Sequence, residues 1–472
     1  MGQDIQASRF TDDDFAAFEE RLRAETRLLA RWFREGAFAV GPNTGGFELE
    51  TWLLGSDMSP SPKVEPLLEI LADPLVVPEL ATFNAEINGT PLPLTGNALT
   101  RLAEELTATW HRCVRAAASL ETRLAMVGIL PTVRPEHLSI KYMTPRARYR
   151  ALNDQIFALR HGKPLTLEIR GQDRLYMEHA DVMLEAAATS FQIHLKVHPD
   201  RAARVYNASK ILSAPMVGIS ANSPLLFGCE LWDETRIPLF EQAVSIGGSL
   251  LSERVNFGVD YAQRSIMETF EANLNYPVLL PHLMDEPPEQ LAHLRLHNGT
   301  IWRWNRPLIG FETSGEPHLR IEHRVVPAGP TVSDCIANAA FYFGAVHSLV
   351  QDDIPPEKRL PFVKARDNFY TTAQQGLEAQ IQWLDGKDTS LSALIAQDLL
   401  PRARSGLVDL GINEVDADRW LALIEGRLKT GHTGAAWQRA WVHRHGHDMA
   451  GLTAAYLEKQ QSGRPVWEWT LE

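Results

Sequence analysis

The chain has 472 residues, 44% hydrophobic and 22% charged, the balance of an ordinary globular protein with enough length for two or three packed units. Its net charge of -13, without a basic block, excludes nucleic acid or an anionic membrane surface as the main partner. Cys113, Cys229 and Cys335 are too few and too scattered for a disulfide framework or a cysteine zinc site, which points to a reducing cytoplasm.

No window approaches the apolar length of a membrane span. The first residues show no basic start with an apolar run, and Gln6 breaks the myristoylation pattern, so a cytoplasmic location is expected. Over residues 12–34 the spacing of Phe15, Phe18, Leu22, Leu29, Trp32 and Phe33 predicts an amphipathic helix capped by Thr11. A strand follows at residues 45–54. Its period of two puts Glu48 and Glu50 on one face and Phe47, Leu49 and Thr51 on the other. Two acids sharing a patch of sheet fit either a wet edge or a site where a cation neutralises them. Residues 64–71 read as a helix, and residues 76–89 as strand, turn and strand carrying Glu79 and Glu86. Taken without the other acidic strand, either acid reads first as a solvated strand-end charge.

Residues 99–127 are expected to form one long helix ended by Gly128 and Pro131. Lys141, Arg146, Arg148 and Arg150 cluster at the opening of the next helix and read first as a solvated basic face, with anion binding as the alternative. Residues 164–169 suggest a strand. Residues 189–197 form a clearer one, with Ser190, Gln192, His194 and Lys196 on its polar face. A helix over 200–212 precedes the small, Pro- and Gly-containing stretch 213–228, which suits tight packing or a ligand wall. Helices are expected from 232 through 244, over 261–274 and over 288–296. Arg303 and Arg306 then stand among tryptophans, with the side chain suited to bidentate carboxylate or phosphate contacts. The strand over 318–325 places Arg320, Glu322 and Arg324 on one face and Leu319 and Ile321 on the other. Thr331 caps a helix over 336–350, and from residue 357 onward only helices are read: 358–384, 391–400, 416–428 and 434–461. His443, His445 and His447 read as an exposed helix end, since no carboxylate joins them at a metal-site spacing.

Seven short stretches occur in a common order: Gly46-Phe47-Glu48-Leu49-Glu50, Glu79 with Asn84-Ala85-Glu86, Gln192-Ile193-His194, Ala221-Asn222-Ser223-Pro224, Arg303-Trp304-Asn305-Arg306-Pro307, Leu319-Arg320-Ile321-Glu322-His323-Arg324 and Ser462-Gly463-Arg464-Pro465-Val466-Trp467-Glu468-Trp469. Together they resemble the glutamate-cysteine ligase family, in the branch of plant-type enzymes and bacterial carboxylate-amine ligases, from about Gly41 onward. The resemblance implies an α+β, glutamine-synthetase-like fold: a curved antiparallel sheet with helices on its outer face and a helical C-terminal region. It suggests an N-terminal helix in residues 1–40, a catalytic domain over 41–352 and a helical region over 353–472. It also implies metal binding by Glu48, Glu50, Glu79, Glu86, His194 and Glu322. Arg306 and Arg324 would act in catalysis, and Arg236, Arg303 and Gln192 would contact the nucleotide. No cysteine pair is placed as in the redox-regulated plant enzymes.

The implied activity is ATP-dependent ligation with Mg2+, or Mn2+ in its place, joining glutamate to cysteine through a γ-glutamyl phosphate. Forming an amide in water is uphill, so ATP first phosphorylates the carboxylate and the amine then displaces phosphate. Carboxylate-held cations and Arg side chains suit the oxyanions that gather in both steps. The alternatives are a ligase for another acid or amine, a non-catalytic nucleotide- or amino-acid-binding relative, and a metal hydrolase. Small molecules are the expected partners, without nucleic acid or membrane, and a homo-oligomer is compatible with this reading.

Overall fold

A computed structural model describes Ile5, residues 9–248 and residues 253–471. An antiparallel eight-stranded sheet runs through it in the order Asn305–Phe311, Pro317–His323, Phe191–Val197, Thr44–Leu54, Asn84–Asn88 and Val76–Pro78; Leu92–Pro93 and Arg123–Ala125 also pair with Thr44–Leu54. The strand carrying Glu48 and Glu50 is therefore central, paired on both sides. One face of it turns Phe47, Leu49 and Thr51 into the core, where Phe47 stacks on Phe191 with ring centroids 5.5 Å apart. The other face carries the acids.

Helices Ala202–Ser220 and Val332–Val350 cover the outer face of the sheet. Contact is close at Gly45, where a methyl group would lie 2.7 Å from both Leu94 and the ring of Phe343. Behind this layer, Leu400–Leu410 crosses Val332–Val350 with backbones touching. A methyl on Gly344 would sit 2.0 Å from the Ala403 carbonyl oxygen, and one on Gly406 would sit 2.0 Å from that of Gly344. Only a residue without a Cβ permits that approach.

A second device fastens the C-terminal helices. Arg427, on Glu414–Thr430, is 1% exposed and donates to Asp334 Oδ1 at 2.9 Å and to Asn338 Oδ1 at 2.6 Å, both on Val332–Val350. It also donates to the Ile219 carbonyl at 3.2 Å, so one guanidinium ties three helices. Asp334 further accepts from Val466 N at 3.1 Å, which anchors the closing segment. At the other end, Asp12–Glu35 is capped by Thr11 as expected. Its Glu25 accepts from His293 Nδ1 at 2.6 Å and Leu294 N at 2.8 Å, drawing the helix onto Ala292–Asn298.

Several expected elements differ. The long helix stops at Ser119; Glu121 takes a positive φ of 55°, and Arg123–Ala125 pairs with the central strand. The helix expected to end at residue 212 continues to Ser220 through Pro215. Ser213 donates to the Ser209 carbonyl at 3.0 Å and Ser220 to the Met216 carbonyl at 2.6 Å, and burial along the whole segment overrides the local breakers. The helices expected over 261–274 and 288–296 shorten and shift to Met267–Asn273 and Ala292–Asn298. The C-terminal region is not wholly helical, since Gln380–Gln382 and Asp388–Ser390 form a hairpin. Gly446, at φ 83°, splits the last helix into Gly434–His445 and Met449–Gln461. Leu165–Arg170 has an unpredicted partner, Arg174–His179. No helix among the described residues is long and apolar enough to cross a membrane.

Removing Arg427 leaves Asp334 buried and uncompensated. Arg427→Met is expected to cost about 3–5 kcal/mol in urea unfolding, part of it recovered by adding Asp334→Asn. A loss under about 1 kcal/mol would show that the guanidinium is not a fastening point.

Candidate active site

The inner face of the sheet forms the floor of a cavity of about 420 Å³. Strand register decides what meets there. Glu322 lies opposite His194 on one neighbour and Arg306 on the other, while Glu48 lies opposite Gln192 and Glu50 opposite Glu86. Residues 16 to 144 positions apart in sequence thus stand side by side, because antiparallel pairing aligns the same-face positions of each strand.

At the floor, Glu322 is 1% exposed and accepts from Arg306 Nε at 2.7 Å and Nη2 at 3.0 Å, and from Arg324 Nη1 at 3.1 Å. Burial works against its charge, but Arg306 and then Arg324 bring its pKa down to about 2. Arg324 also donates to Gln192 Oε1, and Gln192 Nε2 donates to Glu50 Oε1 at 2.8 Å. Glu50 accepts a further bond from Ser190 N at 2.7 Å. A continuous polar chain from Arg306 to Glu50 therefore links four neighbouring strands. His194 sits between two of the acids, its Nε2 3.4 Å from Glu48 Oε1 and 3.9 Å from Glu322 Oε1, and that buried nitrogen makes no well-formed hydrogen bond with the described residues. Glu48, His194 and Glu322 offer ligand atoms within 4.8 Å of one another. Burial opposes the charge of Glu48, but His194 and Arg320 help hold its carboxyl well below the usual range.

Toward the Val76–Pro78 edge the balance reverses. Glu79 is raised well above its ordinary value, first by burial and then by Glu86 and Glu50. Burial, with Glu48 next, pushes Glu86 up to about 7, and burial, with Glu50 next, does the same to Glu185. Glu50 is raised too, by burial, against the pull of Arg324. Like charges in a poorly hydrated cleft cannot all ionise unless a cation joins them. Oxygen donors of this kind fit a hard divalent cation, and the buried His194 nitrogen beside Glu48 and Glu322 fits a second.

Arginines occupy the opposite end. Arg320 lies two residues from Glu322 on the same strand face, and its Nε is buried without a partner. Arg295 faces it from Ala292–Asn298, over the ring of Phe311 at 5.5 Å; its pKa is lowered by burial and by Arg320. Three strand spacings, about 14 Å, separate Glu322 from Glu86. One cavity thus carries guanidinium at one end and carboxylate at the other.

The cavity wall includes Glu48, Glu50, Glu79, Glu86, Gln192, Arg306, Glu322 and Arg324, with His194 set between Glu48 and Glu322 in the floor. Two expected nucleotide contacts stand elsewhere. Arg236 is 2% exposed and spends its donors on Glu234 Oε1 at 3.0 Å and the carbonyls of Arg324 and Val325. It props the end of the Glu322 strand from behind. Arg303 points away from the cavity, donating to Asn273 Oδ1 at 2.6 Å with its guanidinium 5.2 Å from the Tyr276 ring. Trp302 lines the wall, while its neighbour Arg303 does not. Asn222 is likewise structural: it donates to the Ala328 carbonyl and Tyr456 at 2.8 Å each and accepts from Gln438.

Sequence reasoning missed Arg295 and Glu185 and set Arg148 aside as a solvated charge, although all three line the cavity. Arg320 had a signal, its place beside Glu322 in the strand period. Glu185 had none, because it sits in the short 3-10 helix Val182–Ala187 without a pattern.

The chain matches glutamate-cysteine ligase family 2 over residues 44–456. Its fold is similar to that of glutamate–cysteine ligase from Francisella tularensis in complex with AMP, with a TM-score of 0.56 at 11% identity over 92% of this chain and 91% of that one. It is also similar to a bifunctional glutathione synthetase from Pasteurella multocida, at 0.57 and 10% identity over 95% of this chain and 55% of that one. No curated protein sequence matches it.

Two predictions follow from the geometry. Lys in place of Arg keeps charge but loses the fork. Arg306→Lys is therefore expected to lower turnover by about 100-fold or more with the fold retained. Arg303→Lys should cost about 1–3 kcal/mol of stability and leave substrate KM values unchanged. Steady-state kinetics and urea unfolding of both variants check the contrast, which fails if Arg303→Lys shifts a KM. The second concerns pH. Because the folded state raises Glu86 and Glu185 from 4.5 to about 7, their contribution is stabilising below the unfolded value and is lost as pH rises through 7. Glu48 and Glu322 run the other way, stabilising above 4.5 and losing that contribution in acid. A divalent cation bound by ionised Glu79 and Glu86 offsets the Glu86 part of that loss. The rise in Tm given by Mg2+ over EDTA should thus be small near pH 5.5 and larger near pH 8. Equal increments at both would remove Glu79 and Glu86 as a cation site.

Proposed function

The chain belongs to glutamate-cysteine ligase family 2, a family of ATP-dependent carbon–nitrogen ligases, and we propose that it forms γ-glutamylcysteine from glutamate, cysteine and ATP. The observation that carries this reading is the division of one cavity into a guanidinium end and a carboxylate end, with a polar chain between them. ATP-dependent amide formation gathers the same opposites: a triphosphate, a carboxylate to be activated and an amine to attack it.

In this reading Arg295 and Arg320 receive phosphate oxygens, since both face the cavity without a carboxylate partner. Arg306 and Arg324 stand at the middle, where charge builds as phosphate passes to the side-chain carboxylate of glutamate and later departs. Glu322 holds both guanidiniums in fixed orientation, so they need not reorganise as that charge develops. Gln192 links Arg324 to Glu50 and so sets the distance between the arginine and carboxylate halves. Glu48, Glu50, Glu79, Glu86, His194 and Glu322 form the proposed Mg2+ ligand set. Bound there, Mg2+ would neutralise the phosphate oxygens while the terminal phosphoryl group leaves ADP for the glutamate carboxylate. Alternate positions on paired strands keep these groups at constant separations, which orients two reactants without a moving loop.

Phosphate release measured with purified protein tests the reading. ADP and phosphate should appear only with ATP, Mg2+, glutamate and an amine together, and cysteine should give the highest kcat/KM among the amines. Equal release with and without amine would overturn the ligase. Preference for another amine would retain the ligase and replace cysteine.

A further inference from the structure

The carboxylate end of the cavity contains two opposite charges that the proposed metal and phosphate sites leave unused. Arg148 stands in the first turn of Ala147–Leu159, and Glu185 on Val182–Ala187; both side chains line the cavity. Arg324 and then Arg148 favour the charge of Glu185 against burial and Glu50, yet no ion pair joins Glu185 to either among the described residues. Neither side chain makes a hydrogen bond or an ion pair with any other described residue. Arg148 has only the Tyr149 ring, 5.5 Å from its guanidinium. By contrast Arg146, two residues earlier, pairs with Glu65 at 3.4 Å.

The placement of the two charges is built, not loose. Met143 bridges Ala81, and Thr144 donates to the Leu80 carbonyl at 2.8 Å, so the start of the helix is laid along the edge of the sheet that carries Glu79. Asn153, buried on that helix, accepts from Val182 N at 3.2 Å and fixes the Glu185 turn to it. Asp181 caps that turn through Met183 N at 3.0 Å and accepts from Ile140 N at 3.1 Å. A lone guanidinium and a lone carboxylate therefore face one space at a set separation. Leu80 and Leu152 supply an apolar wall beside them.

A fixed plus and minus with a gap between them is complementary to a minus and plus on a small ligand, the pattern of an α-amino acid. This end of the cavity repels a triphosphate, because Glu79, Glu86 and Glu185 converge on it, and it attracts an ammonium. We infer that Arg148 and Glu185 form the recognition site for the amine acceptor and select one with a free α-carboxylate, Arg148 taking the carboxylate and Glu185 the ammonium. The inference deepens the ligase reading and rests on it. It assigns the acceptor to the α-amino acids rather than the simple alkylamines.

The test pairs each amino acid with its decarboxylated counterpart: L-cysteine with cysteamine, L-alanine with ethylamine and L-2-aminobutyrate with propylamine. Binding is measured by calorimetry on full-length protein carrying glutamate, Mg2+ and a non-hydrolysable ATP analogue, and phosphate release is measured in parallel. Wild type is expected to bind at least one amino acid about tenfold or more tighter than its amine. Arg148→Gln should abolish that difference while leaving the glutamate and ATP affinities unchanged. Glu185→Gln should weaken both members of the pair and leave the Mg2+ dependence unchanged. Equal binding of amino acid and amine by wild type overturns the inference, as does an Arg148→Gln effect confined to glutamate, which would make this the donor's site. A shifted Mg2+ requirement in Glu185→Gln overturns it in favour of a cation ligand. Amino-acid binding that depends on Arg148, without any amine-dependent phosphate release, would retain the zwitterion site and sink the ligase reading alone.

Discussion

Carboxylates crowded onto one face of a sheet repel one another, and much of this structure answers that constraint. Strand register brings Glu48, Glu50, Glu86 and Glu322 to adjacent positions, and no rotamer change removes them, because the opposite face is packed. The repulsion is met locally in two ways. Around Glu322 two guanidiniums neutralise the charge and keep the group ionised. Around Glu79 and Glu86 burial and neighbouring carboxylates hold the carboxyls above their usual range, which leaves the site with an affinity for cations. The same residue type thus serves as an orienting anchor at one end and as a cation trap at the other, with strand position alone deciding which.

Holding such a floor requires a strong backing. Isolated, the sheet would relieve its electrostatic strain by twisting or opening. The buried helices Ala202–Ser220 and Val332–Val350 oppose that, and the C-terminal helices in turn hold Val332–Val350 through Arg427 and the Gly344 crossing. Arg427 with Asp334 and Arg236 with Glu234 are ion pairs that also satisfy backbone carbonyls, which offsets their desolvation.

Legibility in the sequence tracked the reach of the pattern. The acidic strand, the polar face with Gln192 and His194, and the Arg320 to Arg324 strand were readable, because a period of two is a local property and marks both the core side and the site side. Arg303 and Arg236, taken as nucleotide contacts from the family resemblance, had no such pattern behind them. Whether an Arg in a loop or at a helix start faces a cavity or a buried amide depends on neighbours far away in the chain, here Asn273 and the Arg324 and Val325 carbonyls. The Ala202–Ser220 helix was cut short in the reading for a related reason, since Pro215 and Gly218 are breakers only where packing does not overrule them. Arg148 and Glu185 meet through Asn153 and a capped turn, a contact without periodicity.

The backbone contact between Gly344 and Gly406 bears on reorganisation energy. Side chains between two helices act as a compressible cushion that lets the helices slide by rotamer hops. Where carbonyl oxygen meets α-carbon there is no such cushion, and the joint is stiff. The helix so clamped is the one whose Phe343 fills the space beside Gly45, one residue from the start of the acid-bearing face. Ligands entering the cavity therefore meet a floor that does not yield, and their binding energy is not dissipated in deforming it. Adaptation to different substrates falls to the walls, the short helices and turns around Gly299, Arg148 and Glu185, which can diverge in sequence while the electrostatic floor stays as it is.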